Sequence, residues 1–425
     1  MENHGSAKKI PVEDIEAFID IYVKAYPAFF LENFSDERKQ KMKENFTLIQ
    51  EKVPAIDIHG LYRDDQLVGG MFFYDYVMNM FSIKVKTAGV GQIAVDLLHK
   101  KEHICKEMMA HFLRHYRGKG VFMTILYPFR ADFYKKMGYG YSTKMNRYYF
   151  KPDSLKRGDS KRNVHYLQKE DLEPLLDCHS RYVDRTHGMT ERKAREMMRF
   201  LANPNVNMVG CKNGDGSISG YVAFKFVKAK ADNFIFNDIE ILELIYDNSE
   251  ALSELCTFLH TQADQVNRII YCTQDESIHF LLTDARNGTN NLLGDHHVSQ
   301  ETNTQGRGLM YRVTDTENLF KHLSEHDFGQ QTCKLKLSVT DTFLQENSNP
   351  LVIHFEKGKA TLKKEDEHEV EITMDVSEFS SMVMGVISFK KLYQYGLAEI
   401  SDSSYLEIVN RIFLVGEKPI CLADF

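Results

Sequence analysis

The sequence predicts two α/β units in tandem, followed by an α+β domain. Three observations lead there: an order of helix, hairpin, strand, basic turn, helix and strand in the first third of the chain; a weaker recurrence of that order in the second third; and period-2 strands followed by helices in the last. At 425 residues the chain is too long for one core, so two or three domains of ~100–200 residues are expected.

The first unit opens with PVEDIEAFIDIYVKAYPAFF. Here Ile15, Phe18, Ile19, Tyr22, Val23 and Tyr26 recur at helical spacing, behind Pro11 and an acidic pair suited to a first helical turn. HGLYRDDQLVGGMFFYDYVMN reads as a hairpin turning at its aspartates, and FSIKVKTAGVGQIAVD as a further strand. LLHKKEHICKEMMAHFLRHYRGKG becomes helical, with Ile104, Met108, Phe112 and Leu113 on one face, and VFMTILYP is a buried strand. The polar stretch KPDSLKRGDSKRN marks a boundary.

Beyond it the pattern returns. LQKEDLEPLLDCHSRYVDR reads as a helix, GDGSISGYVAFKFVKAKADNFIFNDIEILEL as a hairpin plus strand, NSEALSELCTFLHTQADQV as a helix and NRIIYC as a strand. QLVGGMFFYDYV parallels SISGYVAFKFV, and GQIAVDLLHKKEHICKEMM parallels IEILELIYDNSEALSELCTF. Asp247 and Glu250 stand in the second copy where Lys100 and Lys101 stand in the first, so the second copy is expected to bind no phosphate. The Gly-bearing polar stretch ARNGTNNLLGDHHVSQETNTQGRG is a linker or surface loop. TCKLKLSVTD, NPLVIHFEKGKATLKK and HEVEITMDVS are then period-2 strands, and SEFSSMVMGVISFKKLYQYG and YLEIVNRIF are helical. The domains so expected are 1–152, 153–290 and 291–425.

Composition narrows the function. A net charge of −7 argues against a nucleic-acid protein, which needs a basic surface to neutralise phosphates; a mild acidic excess suits a cationic small molecule or solubility alone. Seven scattered cysteines with no CxxC fit reduced thiols rather than a disulfide frame or zinc site, and His296 and His297 have no third ligand at metal spacing. The first residues lack the apolar core of a signal peptide, and no run approaches 18 apolar residues. The expectation is a soluble cytoplasmic protein without a metal or a membrane segment.

Two segments carry chemistry. From Gly91 to Met109 a strand ending in Ile93, Ala94 and Val95 passes through His99, Lys100, Lys101 and His103 into a helix. The first N–H groups of that helix lack intrahelical partners, and with the dipole and two lysines they suit a pyrophosphate; solvated lysines at a helix start are the plainer alternative. Cys105 sits near that N-terminus, where a thiol pKa is lowered. The second segment is LYPFRADFYKKMGYGYSTKM, with Tyr134, Gly138, Tyr139 and Gly140.

The strand, basic turn and helix resemble the acetyl-CoA motif of the GNAT N-acetyltransferases, with one departure: His103 stands where glycine is common. Its Cβ narrows the approach, so either the backbone stays helical and tolerates it or cofactor affinity falls. FYKKMGYG resembles the GNAT segment that turns past the thioester. Two GNAT-like halves and a C-terminal α+β domain together resemble the Eis (enhanced intracellular survival) acetyltransferases, whose second GNAT region is degenerate and whose third domain is sterol-carrier-protein-like. The resemblance implies acetyl-CoA as co-substrate, bound by the backbone of Ile93, Ala94 and Val95, by the turn of Lys101, Glu102, His103, Ile104, Cys105 and Lys106, and by Phe129 and Arg130. It implies Tyr134 as general acid and the C-terminal carboxylate, on Phe425, as general base toward an aminoglycoside-like or polyamine-like amine. It also implies a homo-oligomer, hexameric in that family. The alternative is a lipid- or small-ligand-binding protein with vestigial GNAT halves.

The last residues, CLADF, fit such a role: an aromatic end prefers burial, and a docked terminus brings its carboxylate to a fixed place.

Overall fold

The computed structural model describes residues 5–30, 34–230, 233–289, 291, 293, 300–423 and 425. The strands of the first unit begin with β1 (Ser6–Lys9), β2 (Ile56–Arg63), β3 (Gln66–Met80), β4 (Ile83–Val95), β5 (Met123–Leu126) and β6 (Gly140–Tyr141). β7 (Lys144–Phe150), β8 (Val164–Tyr166), β9 (Asn207–Lys212), β10 (Ile218–Lys230), β11 (Asn233–Tyr246), β12 (Val266–Thr273) and β13 (Asn303–Arg307) follow, then β14 (Met310–Val313). The last five are β15 (Cys333–Thr340), β16 (Leu351–Glu356), β17 (Lys359–Lys363), β18 (Val370–Asp375) and β19 (Ala398–Ile400).

They form three sheets, ordered β1-β2-β3-β4-β5-β14-β6, β13-β7-β12-β11-β10-β9-β8 and β17-β16-β15-β18-β19. Contacts divide the chain into one unit of residues 1–142, 309–418 and 423–425, and another of 143–308 and 419–422. The divisions expected after residues 152 and 290 therefore fall elsewhere. The reason is strand exchange: β7 pairs with β12 and β13 in the second sheet, while β14 inserts between β5 and β6 in the first.

In the first unit the helix Ile104–Gly118 lays Ile104, Met108, Met109, Phe112, Leu113 and Tyr116 into the core. β2 and β3 turn through Asp64 and Asp65, both left-handed (φ 46° and 61°), which is the two-residue geometry that follows the twist of the strands. β14 joins this unit to its C-terminal domain. Arg312 on β14 is wholly buried and pairs with Asp341 through contacts of 3.0 Å. All eight residues of the helix Val376–Val383 are buried. A Cβ on Gly140 would lie 2.0 Å from the Ser377 carbonyl oxygen, and one on Gly138 (φ 81°) 2.6 Å from Val376. The glycines of FYKKMGYG thus serve the approach of this helix.

The second unit repeats the plan in reduced form. β10 and β11 pair antiparallel, and β11 pairs parallel with β12 from Asn237 to Ile241. Only Asp247 and Asn248 separate β11 from the helix Ser249–His260, whose first turn is capped when the Asn248 side chain accepts from the Ala251 N–H. Asp247 is held by Arg181 and Arg185. Where the first unit has a basic turn of eight residues, 96–103, the second has a sealed corner. Pro419–Leu422 belongs to this unit: the Ile420 N–H donates to the His187 carbonyl at 2.9 Å, and Thr143 Oγ1 donates to the Pro419 carbonyl at 2.8 Å.

Candidate active site

The site grows from a break in the first sheet. β4 and β5 pair in parallel only at Thr87, Ala88 and Gly89, so the stretch of β4 from Val90 to Val95 is paired to β3 alone. Within that stretch Ala94 faces Gly70 and Gly91 faces Phe72, which sets Gln92 and Ile93 opposite Met71 alone. This is a β-bulge, and Gln92 takes a left-handed conformation (φ 52°) in it. The bulge exposes strand backbone where the two strands separate. The Tyr26 hydroxyl donates to the Ile93 carbonyl at 2.7 Å.

The turn after β4 is strained as a glycine-type turn is. His103, the residue before the helix, has φ 63°, and Lys101 has φ 68°. The His103 backbone is therefore not helical. The left-handed conformation that glycine reaches freely is kept by a residue with a Cβ, at a cost of order 1 kcal/mol. Support comes from Arg63 on β2, whose Nη2 donates to the Glu102 carbonyl at 3.2 Å and to Glu107 Oε1 at 2.7 Å, and from His99, whose Nδ1 lies 2.9 Å from Glu102 Oε2. Lys100, Lys101 and Lys106 are exposed. The N–H groups of Ile104, Cys105 and Lys106 open a helix of 15 residues and point away from its own carbonyls.

Tyr134, on the short helix Ala131–Lys135, is 3% exposed. Its ring meets Phe129, Phe133 and Tyr139 edge-on at 5.7, 5.4 and 6.1 Å. Burial first, then the nearby Cys105, Tyr26 and Tyr139, push its phenol well above the ordinary range, so it holds its proton at any working pH. Ile104 and Tyr134 are buried in one hydrophobic cluster, against which Ile93, Val95 and Cys105 pack. Cys105 corrects the sequence reading: despite the helix N-terminus, burial pushes its thiol up to about 12, with Lys100 opposing, so it is no activated nucleophile. Phe129 is exposed and Arg130 is engaged by Asp132 at 2.6 Å.

Phe425 lies against the same strand. Its ring centroid is 5.6 Å from Tyr74, 5.9 Å from Tyr76 and 5.2 Å from Tyr127, and it covers Gly89 and Gly91. The sequence reading gave Tyr26 only a place on a helix face and Gly91 only the start of a strand, and it passed over Arg63 and Gly89. The only trace of the glycines was a pair spaced by two within a strand, a pattern that marks close approach of another group.

No cluster of three or more His, Cys, Asp or Glu able to hold a metal occurs among the described residues, and no described helix is long and apolar enough to cross a membrane. His296 and His297 lie outside the described residues.

Residues 7–142 and 181–313 each match an acetyltransferase (GNAT) domain family, and residues 320–422 match a sterol carrier protein domain family. The chain is an acetyltransferase of the GNAT class, with two GNAT domains in tandem and a sterol carrier protein domain behind them. No curated protein matches it in sequence. Among solved structures it is similar to Eis1 from Mycobacterium abscessus (18% identity, TM-score 0.74, covering 99% of this chain and 100% of that one), and the architecture is Eis-like. It is also similar to a conserved protein of unknown function from Enterococcus faecalis V583 (17%, TM-score 0.79) and a GCN5-related N-acetyltransferase from Anabaena variabilis (16%, TM-score 0.78). Both matches cover 99% of this chain and 100% of the other.

Proposed function

We propose that the protein transfers acetyl from acetyl-CoA to an amine of a cationic small molecule, aminoglycoside-like or polyamine-like, by direct attack in a ternary complex. The observation that carries this reading is the buried Tyr134 phenol, in the cluster against which Ile93 and Val95 of the bulged end of β4 pack, the strand on which the terminal Phe425 also rests. In support of the co-substrate, the β4 backbone from Val90 to Val95 is unpaired on the β5 side, where this reading puts the pantetheine arm, and the turn from Lys101 to Lys106 has N–H donors and positive charge that suit a pyrophosphate. The same reading gives Phe129, whose ring meets Tyr134, and Arg130 a part in lining the co-substrate.

When bound, acetyl-CoA supplies the electrophilic thioester carbonyl; the chain supplies position and protons. The amine nitrogen bonds to the carbonyl carbon as the carbon–sulfur bond breaks. The proton shed by nitrogen passes to the Phe425 carboxylate, directly or through water, and the Tyr134 hydroxyl gives its proton to the departing thiolate. The products are an acetamide and the CoA thiol, and both side groups regain their starting protonation from solvent. A terminal carboxylate has a reference pKa of ~3.5, so its part includes orienting the cationic amine.

The same reading takes the protein as a homo-oligomer, hexameric by family resemblance, in the cytoplasm; its seven free cysteines support a reducing compartment.

The test is thiol release from acetyl-CoA with a panel of polyamines and aminoglycosides, on the native chain and on one extended by a few residues after Phe425. The reading expects turnover by the native chain and its loss on extension. Full turnover by the extended chain removes the carboxylate from the mechanism, and absence of saturable acetyl-CoA binding removes the enzyme.

A further inference from the structure

We propose that Gly89 is a positioning residue for the terminal carboxylate. It keeps one face of β4 free of side chain so that the Phe425 ring can seat there, and the seated ring, more than chain length, decides where the carboxylate stands. This rests on the reading that the carboxylate takes part in acetyl transfer.

Gly89 and Gly91 are two apart on a strand and so face the same side. Neither has the positive φ that would demand glycine for backbone reasons, so what they contribute is space. A Cβ on Gly89 would lie 3.1 and 3.2 Å from Cε1 and Cδ1 of Phe425, and 2.7 Å from Cε2 of Tyr76. A Cβ on Gly91 would stand 3.4 Å from Phe425 Cβ and Cδ2 and 3.5 Å from the terminal carbonyl carbon, which is ordinary contact. The floor under the ring is therefore tight at Gly89 and merely closed at Gly91.

The walls are aromatic: Tyr74, Tyr76 and Tyr127 surround the ring, and Gln92 of the bulge donates to the Tyr74 hydroxyl at 3.2 Å. Glycine inside a strand weakens it, so a pair beneath an aromatic terminus marks a place where another group must come close. Because the carboxylate is attached to the Cα of the seated residue, ring and carboxylate move together.

Gly89→Ala and Phe425→Ala, each with the carboxylate retained, are compared with the native chain in kcat and in KM for acetyl-CoA. Contacts of 3.1–3.2 Å ask the ring to give by a few tenths of an ångström, short of the ~1 Å displacement that costs up to about a hundredfold. Gly89→Ala is expected to lower kcat by about three- to tenfold with KM for acetyl-CoA within about twofold, and Gly91→Ala to show a smaller loss. Phe425→Ala is expected to match Gly89→Ala, and the double variant to be no worse than the worse single. Native kcat in folded Gly89→Ala or in Phe425→Ala, or losses that multiply in the double, overturns the proposal. If Gly89→Ala does not fold, Phe425→Ala decides alone. A dead extended chain alongside a fully active Phe425→Ala sinks the seat while leaving the carboxylate; a fully active extended chain sinks the reading beneath both.

Discussion

Tyr134→Phe separates chemistry from packing. The substitution removes one oxygen from a side chain that is 3% exposed and leaves its three edge-on ring contacts in place. Among the described residues no group hydrogen-bonds that hydroxyl, so its removal strands no partner, and the stability change should stay within about 1 kcal/mol. The catalytic change should be larger. A positioned proton donor contributes about a hundred- to ten-thousandfold, or ~3–5 kcal/mol of barrier. Burial raises the phenol above its ordinary range, so it remains protonated from acid to well above neutrality, and the native rate should show no alkaline fall from Tyr134 below about pH 10. The assay is thiol release at saturating acetyl-CoA and polyamine, with acetyl-CoA affinity and thermal midpoint measured in parallel. Unchanged affinity, a midpoint within a few degrees and a kcat lower by at least about a hundredfold are expected. A kcat within about threefold of native at the same affinity refutes the assignment, since no general acid is lost so cheaply.

Other outcomes follow from particular contacts. Asp341→Ala leaves the Arg312 guanidinium buried without its anion and also strips acceptors from the Leu344 N–H and Asn347, so it should cost ~3–5 kcal/mol in urea unfolding; less than about 1 kcal/mol argues against the pair as the tie between β14 and the C-terminal domain. His59 is buried against Phe73 and beside His111 and His115, and burial, then those histidines, depress it to about 3. Its unfolded pKa is ~6.5, so its neutral form favours the fold above that value and the advantage is lost as pH falls toward 3. Unfolding midpoints should therefore drop between about pH 6.5 and 4 in the native chain and drop less in His59→Phe; equal drops in the two chains count against His59. Tyr26→Phe releases the Ile93 carbonyl that a pantetheine arm is expected to use, so KM for acetyl-CoA should fall by a few-fold, about the worth of one hydrogen bond; a rise would mean that Tyr26 helps to bind the co-substrate.

What the sequence disclosed and what it hid divide by range along the chain. The helix at 104–118 and the hairpin through Asp64 and Asp65 follow from side-chain period and turn residues a few positions apart, and the structure has both. β14 was invisible as a member of the first sheet. Met310–Val313 is too short a run to have been read as a strand, and it carries no mark of its partner at Met123–Leu126, nearly two hundred positions earlier. The same exchange displaced the expected domain limits, since β7 reads as the end of the first unit and pairs in the second. The site behaves alike. Tyr134, Ile93 and the turn at Lys101 were named through the resemblance that short local segments carry, whereas the Tyr26 bond to Ile93 spans 67 positions and no local segment shows it. FYKKMGYG shows how a local signal can carry two meanings. Tyr134 lies in the cluster against which Ile93 and Val95 pack, while the segment's glycines answer to Ser377 and Val376 some 240 positions on, where a Cβ would meet backbone and side chain below 3 Å. Residues that look like one motif therefore answer to two constraints, and substitution should separate them: exchange at Tyr134 is expected to change rate at nearly constant stability, and exchange at Gly140 to change stability first.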